Sequence, residues 1–121
     1  MGQINSGLAA KYSPFFKSVL RDNERLLTAS ASIYVQISDS LGRGAGDGTL
    51  GITDQRLIHI GSRIGALLIE RNDILSATKK WIVLPGSSQL DISVKKGEKH
   101  LDFSFYCGTG FCKDLLKIIG K

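Results

Sequence analysis

At 121 residues, with 42% hydrophobic and 22% charged side chains, the chain has room for one hydrophobic core. A domain of that size buries roughly two-thirds of its unfolded surface, enough to fold without metal or disulfide staples. The net charge of +5 favours anionic partners (nucleic acid, acidic lipid or an acidic protein patch), and an excess this small equally serves solubility.

The start, Met1-Gly2-Gln3-Ile4-Asn5-Ser6, lacks the basic region and apolar run of a secretory signal, so a cytoplasmic location is expected. Gly2 and Ser6 fit the short N-myristoylation pattern, which recurs in many unrelated starts. No apolar stretch approaches the roughly 18 residues needed to span a bilayer. Ser13 as N-cap and Pro14 in a first turn predict a short helix with Phe15, Phe16, Val19 and Leu20 on one face. Residues 1–22 are read as this helical extension and residues 23–121 as the domain proper.

From Thr28 the period becomes two: Ala29, Ala31, Ile33, Val35 and Ile37 alternate with polar residues, as in a half-buried strand. Gly42, Gly44, Gly46 and Gly48 predict a mobile loop. Short strands follow around Leu50 and Ile52, around Ile58 and Ile60, and from Ile64 to Glu70, with a fifth through Trp81, Ile82 and Val83. Pro85-Gly86-Ser87-Ser88 is a turn. Leu90, Ile92 and Val94 then alternate with polar residues. After a turn at Lys96-Gly97-Glu98, Leu101, Phe103 and Phe105 do the same, which predicts a hairpin with one apolar face. Gly108-Thr109-Gly110 ends the strands, and Phe111, Leu115, Ile118 and Ile119 line one face of a closing helix. Seven strands and a final amphipathic helix fit a mainly β antiparallel sandwich or partial barrel, with the helix plugging an open end.

The segment Gly48-Thr49-Leu50-Gly51-Ile52-Thr53-Asp54-Gln55-Arg56-Leu57-Ile58 resembles the second hairpin of GRAM-type and bacterial pleckstrin-homology-like (PH-like) domains. These commonly read glycine, apolar, x, apolar, Thr-Asp, x, Arg-Leu there. Asn23-Glu24-Arg25-Leu26-Leu27 is similar to the acidic entry before their first strand. Ile69 to Ile74, the Leu90 and Phe103 strands and the last helix extend the likeness over Arg21 to Ile119. Thr53, Asp54 and Arg56 also have structural uses, since Thr and Asp bind turn backbone and Arg pairs with nearby carboxylates. The motif therefore marks a fold and not an active site. The resemblance implies a scaffold that binds phosphoinositides, other acidic lipids, peptides or proteins. It also implies that the first, third and sixth inter-strand loops gather at the open end, with Arg43, Arg63, Lys95, Lys96 and Lys99 as a basic ligand-binding rim. The same residues also serve as ordinary solvated turn residues. Lipid-binding members gather several Lys and Arg in the first of these loops, where this chain has Arg43 alone.

Other motifs carry less. The glycine run has no following lysine and leads into a strand, so it is not a phosphate loop. Cys107 and Cys112 make half of a zinc set at most, His100 is expected to face water, and free thiols are expected instead. No catalytic elbow, paired-histidine or Cys-His signature occurs, and Glu70 and Asp73 read as solvated carboxylates. Lys79-Lys80-Trp81 is too small a cationic-aromatic cluster to indicate nucleic acid, and either Trp81 or Ile82 is expected to pack inward. The expected function is a non-catalytic binding or scaffolding module, without cofactor or metal, recognising an acidic lipid surface or a protein partner. The alternative is a structural protein that forms a homo-oligomer through strand edges. An enzyme ranks third.

Overall fold

The alternating apolar rows of the last third of the chain pair as expected in the computed structural model, which describes residues 6–37, 46–61, 65–82 and 85–120. Leu90 faces Phe105, Ile92 faces Phe103 and Val94 faces Leu101 across the hairpin of β6 (Ser87–Lys96) and β7 (Lys99–Gly108). Before them come β1 (Leu26–Ile37), β2 (Gly46–Thr53), β3 (Arg56–Gly61), β4 (Gly65–Glu70) and β5 (Ile74–Trp81), with one 3-10 turn between β4 and β5. All pairings are antiparallel, and the seven-stranded sheet has the order β4-β3-β2-β1-β7-β6-β5.

β1 is the seam. Leu26 to Tyr34 pair with β2, while Ser32 to Ile37 pair with β7. Apolar residues from both wings meet in one cluster: Leu50, Ile52, Leu57 and Ile69 with Ile74, Leu90, Ile92, Phe103 and Phe105. Strands at opposite ends of the order can share a core only if the sheet folds over on itself, which gives the partial barrel. Helix α2 (Thr109–Ile119) closes it with Phe111, Cys112, Leu115 and Ile119 buried and Ile118 half-buried against the same cluster. Burying one such side chain is worth about 1.5–3 kcal/mol, so this face is a large share of a small domain's stability.

Three local expectations are corrected. Helix α1 runs Ser6–Phe16, ending where the sequence suggested a start, so Pro14 lies in its last turn, where it has no N–H to give to the Ala10 carbonyl and the helix stops two residues later. Phe15 points to solvent, and Phe16 alone is fully buried, in a second cluster with Ala29 and Ile58. That cluster lies on the outer face of β1–β3, so Ile58 and Ile60 face α1 while Leu57 faces the main core. A side chain at Gly51 would strike the Phe16 ring at 2.7 Å. Second, β2 begins at Gly46, inside the stretch read as a loop. Gly48 is required by space, since a Cβ there would lie 2.5 Å from the Ile60 carbonyl and 2.7 Å from the His59 ring. Third, the β6–β7 turn has two residues, not three. Gly97 takes φ 63° at its first position, as a type II′ turn requires, and this leaves Lys96 on the strand.

Candidate functional site

The most charged buried cluster is structural. Arg56 Nε donates to Glu24 Oε2 at 2.8 Å, a second guanidinium nitrogen bonds Oε1, and that nitrogen also reaches the Val19 carbonyl at 2.7 Å. The Thr53 hydroxyl donates to Glu24 Oε2 at 2.7 Å and accepts from the backbone N–H groups of Gln55 and Arg56 at 2.9 and 2.7 Å. Burial acts to raise the Glu24 pKa. The bonds from Arg56, the Arg21 N–H and Thr53, with the Arg56 charge, outweigh it and hold the group at about 2. Asp54 accepts from the Arg25 N–H at 3.0 Å, completing the clasp between the β1 entry and the β2–β3 turn. Each member of the Thr53-Asp54-x-Arg56 motif thus ties backbone to backbone.

The thiols of Cys107 and Cys112 lie 2.8 Å apart in the core. Hydrogen bonding to Cys112, with burial, pushes the Cys107 thiol up. His59 lies in the core, 5.3 Å from the Phe105 ring. His100 faces solvent, 3.6 Å from Asp102. Glu70 pairs with Arg21 at 2.8 Å.

Of the five rim residues, Arg43 and Arg63 lie outside the described residues. Lys95, Lys96 and Lys99 are brought together, all exposed, at the tip of the β6–β7 hairpin. The two-residue turn sets Lys96 directly opposite Lys99, and Lys95 opposite His100 on the other face. Beside this tip a groove of about 350 Å³ separates the hairpin from β4. It is lined by Val94, Leu101 and Phe103 of the hairpin and Leu67, Leu68 and Ile69 of β4, with Arg21, Arg56, Lys96, Glu70 and Asp73 as its charged residues. The sequence reading missed the groove because the facing of β4 and the hairpin is a product of the folded-over sheet. The available signal was the run of inward residues Leu90, Ile92, Val94 and then Lys96, an apolar row ending in a cation.

A second cleft, about 330 Å³, lies between the end of β5 and the start of α2, lined by Lys79, Trp81, Pro85 and Thr109. Trp81 is 84% exposed and Ile82 only half-buried, so neither packs fully inward. Lys80 turns to the outer face and pairs with Asp91 at 3.0 Å.

No protein-family model matches the chain, and comparison with curated proteins finds no match. Solved structures do match. The C-terminal domain of an unknown protein from Leishmania infantum superposes with TM-score 0.58 at 20% identity, covering 96% of this chain and 98% of that one. The Vps36 N-terminal PH domain gives 0.56 at 20% identity, covering 84% of this chain and 83% of that one. The hSac2 domain from human phosphoinositide phosphatase Sac2 gives 0.57 at 11% identity, covering 98% of this chain and 82% of that one. At such identities the likeness is one of fold, and the fold is PH-like. No helix among the described residues is long and apolar enough to cross a membrane.

Proposed function

We propose that the chain is a non-catalytic binding module that docks on an acidic lipid surface through the tip of the β6–β7 hairpin. The observation that carries this is the cross-strand register of Lys96 and Lys99, with Lys95 adjacent and Glu98 the one acid in the turn. Like charges directly opposite each other destabilise a hairpin, and a bound anion removes that cost. Arg43 and Arg63 belong to the same proposed rim. A PH domain and a domain of a phosphoinositide phosphatase among the structural neighbours support a lipid-facing role. Each exposed cation near an anionic membrane contributes about 1 kcal/mol, so binding is weak, shared among residues and lost with salt. Cosedimentation with vesicles containing phosphatidylserine, against neutral vesicles, tests it. Wild type is retained only on anionic vesicles at low salt, and the triple variant Lys95→Glu, Lys96→Glu, Lys99→Glu is not retained.

A second reading, homo-oligomerisation, rests on β5. This strand pairs with β6 on one side and has no partner strand on the other among the described residues. It carries Leu75, 51% exposed, as well as Trp81. Antiparallel pairing of two copies centred on Thr78 would set each Trp81 opposite the other copy's Leu75. Light scattering of Trp81→Lys and Leu75→Glu, alone and mixed, tests this register. Each variant alone is monomeric, and the mixture associates again. Wild type that is itself monomeric at high concentration rules the reading out.

A further inference from the structure

The inward row of β7 ends in Cys107, and after Gly108-Thr109-Gly110 the chain folds back so that Cys112, in the first turn of α2, meets it sulfur to sulfur at 2.8 Å. Hydrogen bonds hold that turn in place. The Gly108 N–H donates to Ser30 Oγ at 3.2 Å, the Thr109 N–H to the Gly86 carbonyl at 3.0 Å, and the Thr109 and Ser88 hydroxyls bond at 2.9 Å. Both cysteines are buried free thiols, and the chain has no other cysteine. The two sulfurs are not equivalent. A hydrogen bond from Cys107 holds the Cys112 thiol below its ordinary range; burial opposes this, and the Lys79 charge adds to it. Lys79, Ser88 and Thr109 all line the cleft between the end of β5 and the start of α2, so the turn that carries the pair borders an open approach.

We propose that Cys107 and Cys112 are a dithiol that a hydroperoxide converts to a disulfide, with Cys112 as the attacking sulfur and Cys107 as the resolving one. The Cys112 thiolate attacks one oxygen of the hydroperoxide. An S–O bond forms, the O–O bond breaks, and the released alkoxide or hydroxide takes the proton that Cys112 gave up. Cys107 then attacks the Cys112 sulfur. The S–S bond forms, the S–O bond breaks, and hydroxide leaves with the Cys107 proton as water. The two sulfurs lose two electrons in all, and the peroxide gains them. Hydrogen peroxide is little larger than water and reaches the pair when the first turn of α2 opens briefly, an opening too small for bulky thiol reagents. Because Cys107 is already in contact, it captures the sulfenic acid before a second peroxide can carry it to sulfinic acid. The product fastens the end of β7 covalently to the helix that closes the barrel.

Treatment of the reduced, folded protein with hydrogen peroxide tests the proposal, read by intact mass, thiol count in denaturant and peptide mapping. Both thiols disappear together, the mass falls by about 2 Da, and dithiothreitol restores both. Cys107→Ala stops at the sulfenic acid, which dimedone traps on Cys112, whereas Cys112→Ala leaves Cys107 a thiol over the same time. Lys79→Gln slows disulfide formation severalfold without altering thermal melting. Thiols that survive in the folded protein under peroxide that oxidises the denatured chain overturn the proposal. So does sulfinic acid on either residue in place of the disulfide, or a disulfide between two chains. A disulfide that forms equally fast in Lys79→Gln, or sulfenic acid that collects on Cys107 in Cys112→Ala, overturns the assignment of Cys112 as the attacking sulfur. The mass and thiol count of the wild type need no substitution, so they decide the matter even where a cysteine variant fails to fold.

Discussion

Lys96 and Lys99 stand directly opposite each other across the β6–β7 ladder, one on either side of the Gly97–Glu98 turn. In the unliganded protein this arrangement is a cost, and a single charge reversal separates that cost from its use. Lys99→Glu turns a repulsive pair into an attractive one, so the fold gains about 0.2–1 kcal/mol while retention on anionic vesicles falls. Thermal melting and cosedimentation of the same variant check both signs. A variant that is less stable and also binds less would show the tip to be structural.

His59 makes stability depend on pH. It is 1% exposed beside Phe105, and burial lowers its pKa to about 4 from 6.5. The unfolded chain takes up a proton at this residue below about pH 6.5, whereas the folded chain does so only near pH 4. The neutral histidine's contribution is therefore complete above pH 6.5 and is lost as pH falls to about 4, a change of about 3 kcal/mol. Denaturant titrations at pH 7 and pH 4.5 should show the loss, and His59→Leu should flatten it in that window.

A more acidic step belongs to Glu24. Its pKa is held at about 2 against an ordinary 4.5, so the Glu24–Arg56 contribution is present above pH 4.5 and disappears as pH falls through 2. Glu24→Gln or Arg56→Met strands the remaining polar group and costs about 3–5 kcal/mol. Replacing both by apolar residues of similar size is less damaging than either change alone. A double-mutant cycle by chemical denaturation measures this, and simple additivity would contradict it.

Phe111 and Leu115 bind α2 to the barrel, both at most 2% exposed. Phe111→Ala should cost about 3–5 kcal/mol. Truncation before Thr109 should leave a chain that aggregates, since it uncovers one side of the main core. A soluble truncated chain with a cooperative unfolding transition would refute the role given to the helix.

The thiols supply a probe of the same closure. Cys107 and Cys112 are at most 2% exposed, one at the end of β7 and the other in the first turn of α2. Iodoacetamide should label neither in the folded protein and both in denaturant. Rapid labelling under native conditions would mean that α2 detaches readily.

How legible each part was follows from the range of the interactions that set it. The β6–β7 hairpin and the apolar face of α2 could be read directly, because periods of two and 3.6 are written in neighbouring residues such as Leu90-x-Ile92-x-Val94 and Phe111-x-x-x-Leu115. The use of Thr53 and Arg56 as turn and ion-pair residues was also legible, since Glu24 stands at the mouth of the partner strand. Trp81 escaped because a strand at the sheet edge, past the end of the core, has no inner neighbour to cover it. Gly48 looked like a loop residue because the need for glycine there comes from His59 and Ile60, residues of another strand. The facing of Lys96 and Lys99 turned on a one-residue difference in turn length, which also decides what stands beside the groove.

The divided pairing of β1 has a kinetic consequence. Its first half closes with β2 almost at once, but Ser32 to Ile37 must wait for β7, and the Gly108 N–H to Ser30 bond spans 78 residues. During synthesis the half-made sheet therefore carries an open strand edge until the last fifth of the chain has emerged. Contacts of such long range slow folding and expose intermediates to misassociation. Stalled or truncated chains should be the form of this protein that chaperones and proteases meet, and rates of refolding should respond to changes in β7 more than to equal changes in β3.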